Sequence, residues 1–546
     1  MTRALPLLLL AAASVAAGIY VAGAPGRAQR RLLNAYAADW RRDDLSRMYA
    51  MLTPASQRQM SEAEFAAKLD HDADIATATT LRATRLISIS DGDARFKFVV
   101  QTRVFGTLHE VLELPLAGSG GGTRIRFAPM ILFPGLRSNE TLTRDAAIGP
   151  RGSILAADGT PLAEGAGRSS PIPAVASAIV GTLGPIPAGQ RAAYAAAGYP
   201  ANTKVGQDGL ELIFQKQLAG NPGGKLLAGH RVLASRAPTP GRTVKTTIVP
   251  QLEQAAITAI GTSYAGLTVL DPRTGAIEAA AGIAFTDVQP PGSTMKIVTA
   301  TAALQAGIVT LNTQFPVESS INLDGFTMQN AAGESCGGSL LDAFAESCDT
   351  VFAPVGANLG ASRLVGMAQK FGFDEPTGIP TAIESTIPSV RNIGDALAVG
   401  SSAIGQGKVQ ASTLEMADIA ATIADGGSRP LPTLLAGAKP RYVRVTTGKV
   451  AGEVQQMMEA VVSFGTGTTA QIPNVTVAGK TGTSELGNTA NQSNNTKLTD
   501  SWFVGYAPIP APKVVAAALF PSSGYGADVA APAVRQVIEA ALGLAG

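Results

Sequence analysis

The chain changes its hydrophobic rhythm several times, and each change marks a segment. Residues Ala4 to Ala24 carry no charge, and about 20 apolar residues are enough to cross a bilayer core. Arg3 precedes this run, and Arg27, Arg30 and Arg31 follow it, so flanking charge leaves the orientation open. Ala22-Gly23-Ala24 also fits a signal-cleavage site. Residues 1–30 therefore read as a retained membrane anchor or, alternatively, as a signal removed on secretion. Both readings place the rest of the chain outside the cytoplasm. Leu32, Tyr36 and Trp40 then recur every fourth residue, as on one face of a helix, and Trp40 is a core candidate. Met48, Leu52, Phe65 and Leu69 extend helical spacing to about residue 70. The period next falls to two. Phe96, Phe98, Val100, Thr102 and Val104 alternate as a half-buried strand does. Val111–Leu116 and Arg124–Phe127 predict two more strands, joined by the Gly-rich turn Gly118–Gly122. Helices followed by antiparallel strands predict a small α+β domain over 31–136.

A region over 140–248 is rich in Gly and Pro, with short strand-like runs and no cluster of reactive side chains. From Pro250 the pattern strengthens. Leu267–Asp271 predicts a strand and Thr274-Gly275 its turn, with a partner strand near Ala279. Val475–Lys480, Trp502–Tyr506 and Val514–Phe520 predict three further strands, and Ala533–Leu542 a closing helix. Helices bracketed by strands of one antiparallel sheet predict a large α/β domain over 250–546. The whole is a multidomain α+β and α/β chain.

Composition narrows the chemistry. At roughly 150 residues per domain, 546 residues allow three or four domains. Apolar residues make up 46% and charged residues 15%, enough for several cores and unlike a disordered polymer. Lys plus Arg is 43 against 41 Asp plus Glu, so no concentrated basic face for nucleic acid is expected. Only Cys336 and Cys348 are present, which excludes a Cys-rich zinc module, and the sequence points to no metal and no cofactor. The two cysteines lie twelve apart on an exported chain. They form either a disulfide that pins the segment between them or two buried thiols. His71, His109 and His230 are the only histidines, and none falls in a motif.

The stretch Pro290-Pro291-Gly292-Ser293-Thr294-Met295-Lys296 ends a loop and opens an apolar helix that runs to a stop at Gly307. Positions i and i+3 share a helix face, so Lys296 stands one turn beyond Ser293. A serine hydroxyl becomes a nucleophile when a neighbour takes its proton, and a lysine of depressed pKa can do so. Alone, the pair also fits an N-capping serine with a surface lysine. In Ser347-Cys348-Asp349 the Ser and Asp, two apart, point the same way from an extended loop. Gly479-Lys480-Thr481-Gly482-Thr483 ends a strand. Lys480 offers a positive charge for a carboxylate there, and Gly482 would let a substrate backbone lie close. A phosphate-binding loop is excluded because Asn474 stands where it needs Gly, and Gln410 breaks a dinucleotide fingerprint after Gly405-Gln406-Gly407. The run Asn488–Asn495 reads as a solvated loop beside the site.

S-x-x-K, S-x-D and K-T-G in this order, separated by 54 and 133 residues, resemble the active-site set of penicillin-binding proteins and serine β-lactamases. More of the chain fits the class B penicillin-binding proteins. Ile404–Gly407 with Leu414–Ala417 resembles the stretch before the K-T-G strand, and Asp500–Pro508 the strand after it. Pro150–Ile154 with Asp158-Gly159, and Gly206–Glu211, resemble the non-catalytic pedestal, or dimerisation, domain. Residues 31–136 are similar to the N-terminal domain of the methicillin-resistance (MecA-like) type. The resemblance implies a peptidoglycan D,D-transpeptidase. Ser293 would be acylated at the D-Ala-D-Ala bond of a stem peptide, or by a β-lactam. Lys296 would take the proton and Ser347 relay one to the leaving amine. Lys480, Thr481 and Thr483 would hold the terminal carboxylate, and the N–H groups of Ser293 and Thr483 would form the oxyanion hole. It also implies a separate glycosyltransferase partner. Where the family usually has Asn, this chain has Asp349. A carboxylate beside Lys296 would raise that lysine's pKa. Asp349 is therefore protonated, or turned away, or it alters the activity. A D,D-carboxypeptidase or β-lactamase, and a non-catalytic β-lactam sensor, are the alternatives.

Overall fold

A computed structural model describes residues 26–90, 92–485 and 499–543. The uncharged stretch Ala4–Ala24 and the run Asn488–Asn495 lie outside the described residues. Among those described, no helix is long and apolar enough to cross a membrane. The chain forms two compact units and passes between them repeatedly. The first holds the described chain up to Arg151 with Gly184–Val205 and Ala219–Arg242. The second holds Gly152–Leu183, Gly206–Leu218 and the described chain from Thr243 onward. The Gly- and Pro-rich stretch 140–248 is therefore shared between the two.

In the first unit, residues 26–42 are helical. Helix α1 (Glu62–Ile75) opens on a capping box, in which Ser61 Oγ accepts from Glu64 N while a Glu64 carboxylate oxygen accepts from Ser61 N. Strands β1 (Ala78–Ser90), β2 (Asp93–Thr102), β3 (Gly106–Ala117) and β4 (Arg124–Ile125) form an antiparallel sheet in that order. The alternation predicted for β2 is seen in its burial. Phe96, Phe98 and Val100 face the core with Leu33, Tyr36, Trp40, Phe65 and Leu69, and the Trp40 and Phe98 rings meet edge-on at 5.0 Å. The sequence reading overextends two strands. β2 ends at Thr102 because the Thr102 hydroxyl donates to Gly106 O and accepts from Phe105 N, closing a turn around Val104. The last strand stops at Ile125 rather than Phe127. The sequence reading also misses β1, whose pairing with β2 slips at three places, so its burial loses the two-residue period. Strands β5 (Leu142–Ala147), β6 (Gly223–Ala228) and β7 (Arg231–Arg236) make a second antiparallel sheet with β6 central.

The second unit is built on five antiparallel strands among the described residues. These are β8 (Gly266–Leu270), β9 (Ile277–Gly282), β10 (Ala478–Glu485), β11 (Thr499–Ala507) and β12 (Val514–Phe520), in the order β9-β8-β12-β11-β10. Both faces of this sheet are covered, so its central strands read as continuous apolar runs. In β12, Val515, Ala517 and Leu519 join one core, and Val514, Ala516, Ala518 and Phe520 the other. Among the unit's helices are α2 (Pro250–Ile260), α3 (Lys296–Gln305), α4 (Leu340–Ala345), α5 (Asp349–Leu359), α6 (Thr413–Ala424), α7 (Gly448–Ser463) and α8 (Ala530–Ala541). Helices α2 and α8 supply Leu252, Ala256, Val534 and Ile538 to one face. Helices α3 and α6 lie almost wholly buried in the core of the other face. The predicted strand at Val475–Lys480 starts later, at Ala478, and continues to Glu485. Its ladder to β11 pairs Lys480 with Val504 and Thr483 with Ser501, so the K-T-G-T residues lie inside an edge strand rather than at its end.

Candidate active site

Ser293 sits in a 3-10 turn, Gly292–Met295, and the α-helix begins only at Lys296. Side chains at i and i+3 eclipse in a 3-10 turn, so Lys296 stands more directly over Ser293 than an α-helix would place it. The turn packs backbone to backbone against β10. A Cβ on Gly292, which has φ +53°, would lie 2.8 Å from Thr483 O. A Cβ on Gly482 would lie 2.7 Å from Pro291 O and 2.9 Å from the Thr294 and Trp502 side chains. Gly482 thus serves the contact between strand and nucleophile turn, where the sequence reading gave that space to a substrate backbone. The helix stop expected at Gly307 is a Schellman end. Gly307 N donates to Leu304 O at 3.0 Å and Ile308 N to Ala303 O at 3.1 Å.

Ser347 is delivered by a second helix end. Glu346 caps α4, Ser347 N donates to Phe344 O and Cys348 N to Ala343 O, and Ser347 has φ +62°. This is the left-handed position that helices usually fill with Gly. The expected extended loop is therefore absent. Ser347 ends one helix and Asp349 begins the next, α5, at whose positive end its carboxylate is favoured. Cys348 is disulfide-bonded to Cys336, with Cα atoms 5.8 Å apart. The cap of α5 comes from elsewhere. Asn330 Oδ1 accepts from Thr350 N at 2.9 Å, while its amide donates to Glu318 O and Glu334 O.

Lys296 and Lys480, both wholly buried, converge on Ser347. Lys296 Nζ lies 2.6 Å from Ser347 O, 3.2 Å from Ser347 Oγ and 2.7 Å from Asp349 Oδ1. Of the three readings of Asp349, the one that turns it away is thereby removed. Lys480 Nζ lies 2.8 Å from Ser347 Oγ and donates to Thr481 O at 3.2 Å. Burial holds Lys296 below its ordinary pKa against the opposing pull of Asp349. Burial, and next the neighbouring Lys296, hold Lys480 well below its own, with Asp349 offsetting part.

Ser293, Ser347, Asp349, Thr481 and Thr483 line one cavity of about 1360 Å³ among the described residues. Lys480 is not in its lining, so its influence on the cleft passes through Ser347 and Thr481. Thr481 Oγ1 is 2.6 Å from the hydroxyl of Thr466, and Thr466 N donates to Ala345 O at 3.0 Å. Thr483 Oγ1 accepts from Gly526 N at 3.3 Å. Asn330 and Thr466 both line the cavity, and the sequence reading passed over both. The Gly465-Thr466-Gly467 run ahead of β10 is a signal for the second; a lone Asn gives none for the first.

A family model described as the penicillin binding protein transpeptidase domain matches residues 265–539, and one for the penicillin-binding protein dimerisation domain matches 163–246. Peptidoglycan D,D-transpeptidase PbpA of Mycobacterium tuberculosis is 36% identical over 282 residues, covering 47% of this chain and 56% of the relative. This match thus spans little more than half of that relative. PbpA of Mycolicibacterium smegmatis is 33% identical over 369 residues, covering 55% of this chain and 73% of the relative. The solved penicillin G acyl-enzyme complex of penicillin-binding protein A from M. tuberculosis has TM-score 0.58 and 27% identity. It covers 72% of this chain and all of that one.

Proposed function

The chain belongs to the penicillin-binding protein transpeptidase family, and on that premise we propose that it is a class B peptidoglycan D,D-transpeptidase. The observation that carries the proposal is the convergence of Lys296 and Lys480 on the Ser347 hydroxyl, beside the cavity that Ser293 lines. Ser293 Oγ attacks the carbonyl between the last two D-alanines of a stem peptide. Its proton leaves through the lysine–serine cluster, the terminal D-alanine departs, and an amine of a neighbouring strand takes the acyl group. The hydroxyls of Thr481 and Thr483 hold the terminal carboxylate. The N–H groups of Ser293 and Thr483 receive the developing oxyanion, a donor of this kind being worth about 3 kcal/mol. β-Lactams occupy the same site and acylate Ser293. The M. tuberculosis relative captured as an acyl-enzyme with penicillin G supports this.

Around this domain the proposal places an N-terminal anchor over 1–30, a methicillin-resistance-type domain over 31–136 and a pedestal over 140–248. Strand polymerisation falls to a separate glycosyltransferase. The test is intact mass of the protein with and without a penicillin, beside Ser293→Ala. An adduct of penicillin mass on the parent and none on the variant is expected. An adduct that survives in the variant means another nucleophile. Transfer to an amine acceptor then separates a transpeptidase from a carboxypeptidase or a sensor that acylates and stops.

A further inference from the structure

We propose that in the resting site Lys296 is the ammonium and Lys480 the neutral amine, with Ser347 donating its hydroxyl proton to Lys480. The inference rests on the reading of Ser293 as the nucleophile of an acyl-enzyme. It follows from which of the two buried lysines the one carboxylate touches. A lysine ammonium has three N–H groups and no acceptor. Three oxygens surround Lys296 Nζ: the Asp349 carboxylate, the Ser347 carbonyl and the Ser347 hydroxyl. Each can take one N–H of a charged Lys296, whereas a neutral Lys296 could turn its lone pair only to the Ser347 hydroxyl, which alone of the three has a proton to give. Ser347 Oγ, having accepted from Lys296, still holds its own proton, and Lys480 Nζ stands 2.8 Å away. As a neutral amine, Lys480 accepts that proton and gives an N–H to Thr481 O. The second N–H of the Lys480 amine has no partner among these atoms.

The two other assignments fit worse. With both lysines charged, two fully buried ammonium groups share one hydroxyl, and one carboxylate is in contact. With the charges exchanged, the hydrogen bonds count the same, with one Lys480 N–H again left over, but the carboxylate touches the neutral lysine and the buried charge sits on the lysine that no carboxylate contacts. The ionisable groups facing the pair are Asp349 from α5, Lys296 from α3 and Lys480 from β10. Each lysine also has a ring beside it. Phe352 lies 5.7 Å from Lys296 and Phe344 5.5 Å from Lys480. The electrostatic balance runs the same way, since Asp349 holds Lys296 up while Lys296 helps push Lys480 down.

The assignment makes Lys480 the base, reached through Ser347. As Ser293 Oγ bonds to the carbonyl carbon, its proton passes to Ser347 Oγ and the Ser347 proton passes to Lys480. When the tetrahedral adduct collapses, the C–N bond breaks. The leaving amine takes a proton from Ser347, and Lys480 returns its own to Ser347. A substrate carboxylate resting on Thr481 and Thr483 strengthens Lys480 as a base, because a nearby negative charge favours its protonated form.

The experiment is the rate of penicillin acylation of the full chain from about pH 5 to pH 10, for the parent, Asp349→Asn and Lys480→Arg. Asp349→Asn removes the counter-charge of Lys296, so the alkaline limb of the profile is expected to move down by about one pH unit or more. An Arg is never neutral, so Lys480→Arg is expected to slow acylation by about a hundredfold or more at every pH, with its thermal midpoint held. An alkaline limb that stays in place in Asp349→Asn overturns the assignment. So does folded Lys480→Arg acylating within about tenfold of the parent. Should Lys480→Arg not fold, the Asp349→Asn profile decides alone. Failure of the parent itself to form any adduct would count against the acyl-enzyme reading, not against this proton placement.

Discussion

Ser347 carries a conformational cost that two substitutions can isolate. It occupies the left-handed position just past α4 with φ +62°. A residue with a Cβ pays roughly 1–2 kcal/mol there. Glycine pays no such penalty, but its freer unfolded chain costs about 0.5–1 kcal/mol. Ser347→Ala and Ser347→Gly both delete the hydroxyl that touches Lys480 at 2.8 Å and Lys296 at 3.2 Å. The loss of those contacts therefore cancels in a comparison of the two variants. What remains favours glycine by about 0.5–1 kcal/mol. The second unit has about 350 residues, and its unfolding entropy of roughly 0.7 kcal/mol/K turns that difference into about 1 °C. Scanning calorimetry resolves such a shift when both proteins are run under one condition. At an ordinary helical site the order is reversed, because glycine there is the less stable of the two. A glycine variant that melts with or below the alanine variant would refute the account of Ser347 as a strained helix end. Both variants are expected to acylate about a hundredfold more slowly than the parent, since the proton path is gone. The strain is then the cost of placing a hydroxyl where glycine alone is comfortable.

Two further outcomes are expected. Glu253 is fully buried, with one carboxylate oxygen accepting from Ala280 N at 2.7 Å, and burial raises its pKa from 4.5 to about 7. The folded state binds this proton more tightly than the unfolded one. The stabilisation is therefore complete below about pH 4.5 and lost as pH rises through about 7, to a total of roughly 3 kcal/mol. Glu253→Gln should gain on the parent between about pH 5 and pH 8 in denaturant midpoint, and an unchanged gap at the two pH values would show that Glu253 is not titrating in the fold. Asn330→Ala deletes one hydrogen bond to the start of α5 and two within the 318–334 segment, at about 1 kcal/mol each. It should lower both the thermal midpoint and the acylation rate. Asn330→Ala with parental acylation would mean that Ser347 and Asp349 hold their places without it.

What could be read from the sequence is what local pattern controls. The alternation of Phe96, Phe98 and Val100 survives because β2 has one wet and one dry face. Val514–Phe520 reads as a strand because both of its faces are covered and nothing polar is needed. β1 escaped because its register slips break the period on which such readings depend. At the site, Ser293 and Lys296 are tied by a single turn, so their spacing alone puts them on one face of it. Lys480 lies 133 residues from Ser347, and only a known motif order links the two in sequence. The resemblance supplied the list of residues but not their protonation. That depends on distances to Asp349 and Ser347, which differ from the usual pattern by one atom type at position 349.

Gly482 shows why a correct residue can carry the wrong reason. In sequence, glycine beside a catalytic lysine marks room for something, and substrate is the obvious occupant. The space in fact belongs to Pro291 O and Thr294, because the nucleophile turn must lie against β10 for Ser293 and Thr483 to face one cavity. Two backbone segments that approach this closely leave no room for a side chain on either, which is why Gly292 and Gly482 occur on opposite sides of the same contact. An alanine at 482 would therefore push the turn and the strand apart before it met any ligand. Its cost would fall on the geometry between Ser293 and Thr483, the two positions whose N–H groups the mechanism needs to point at one oxygen.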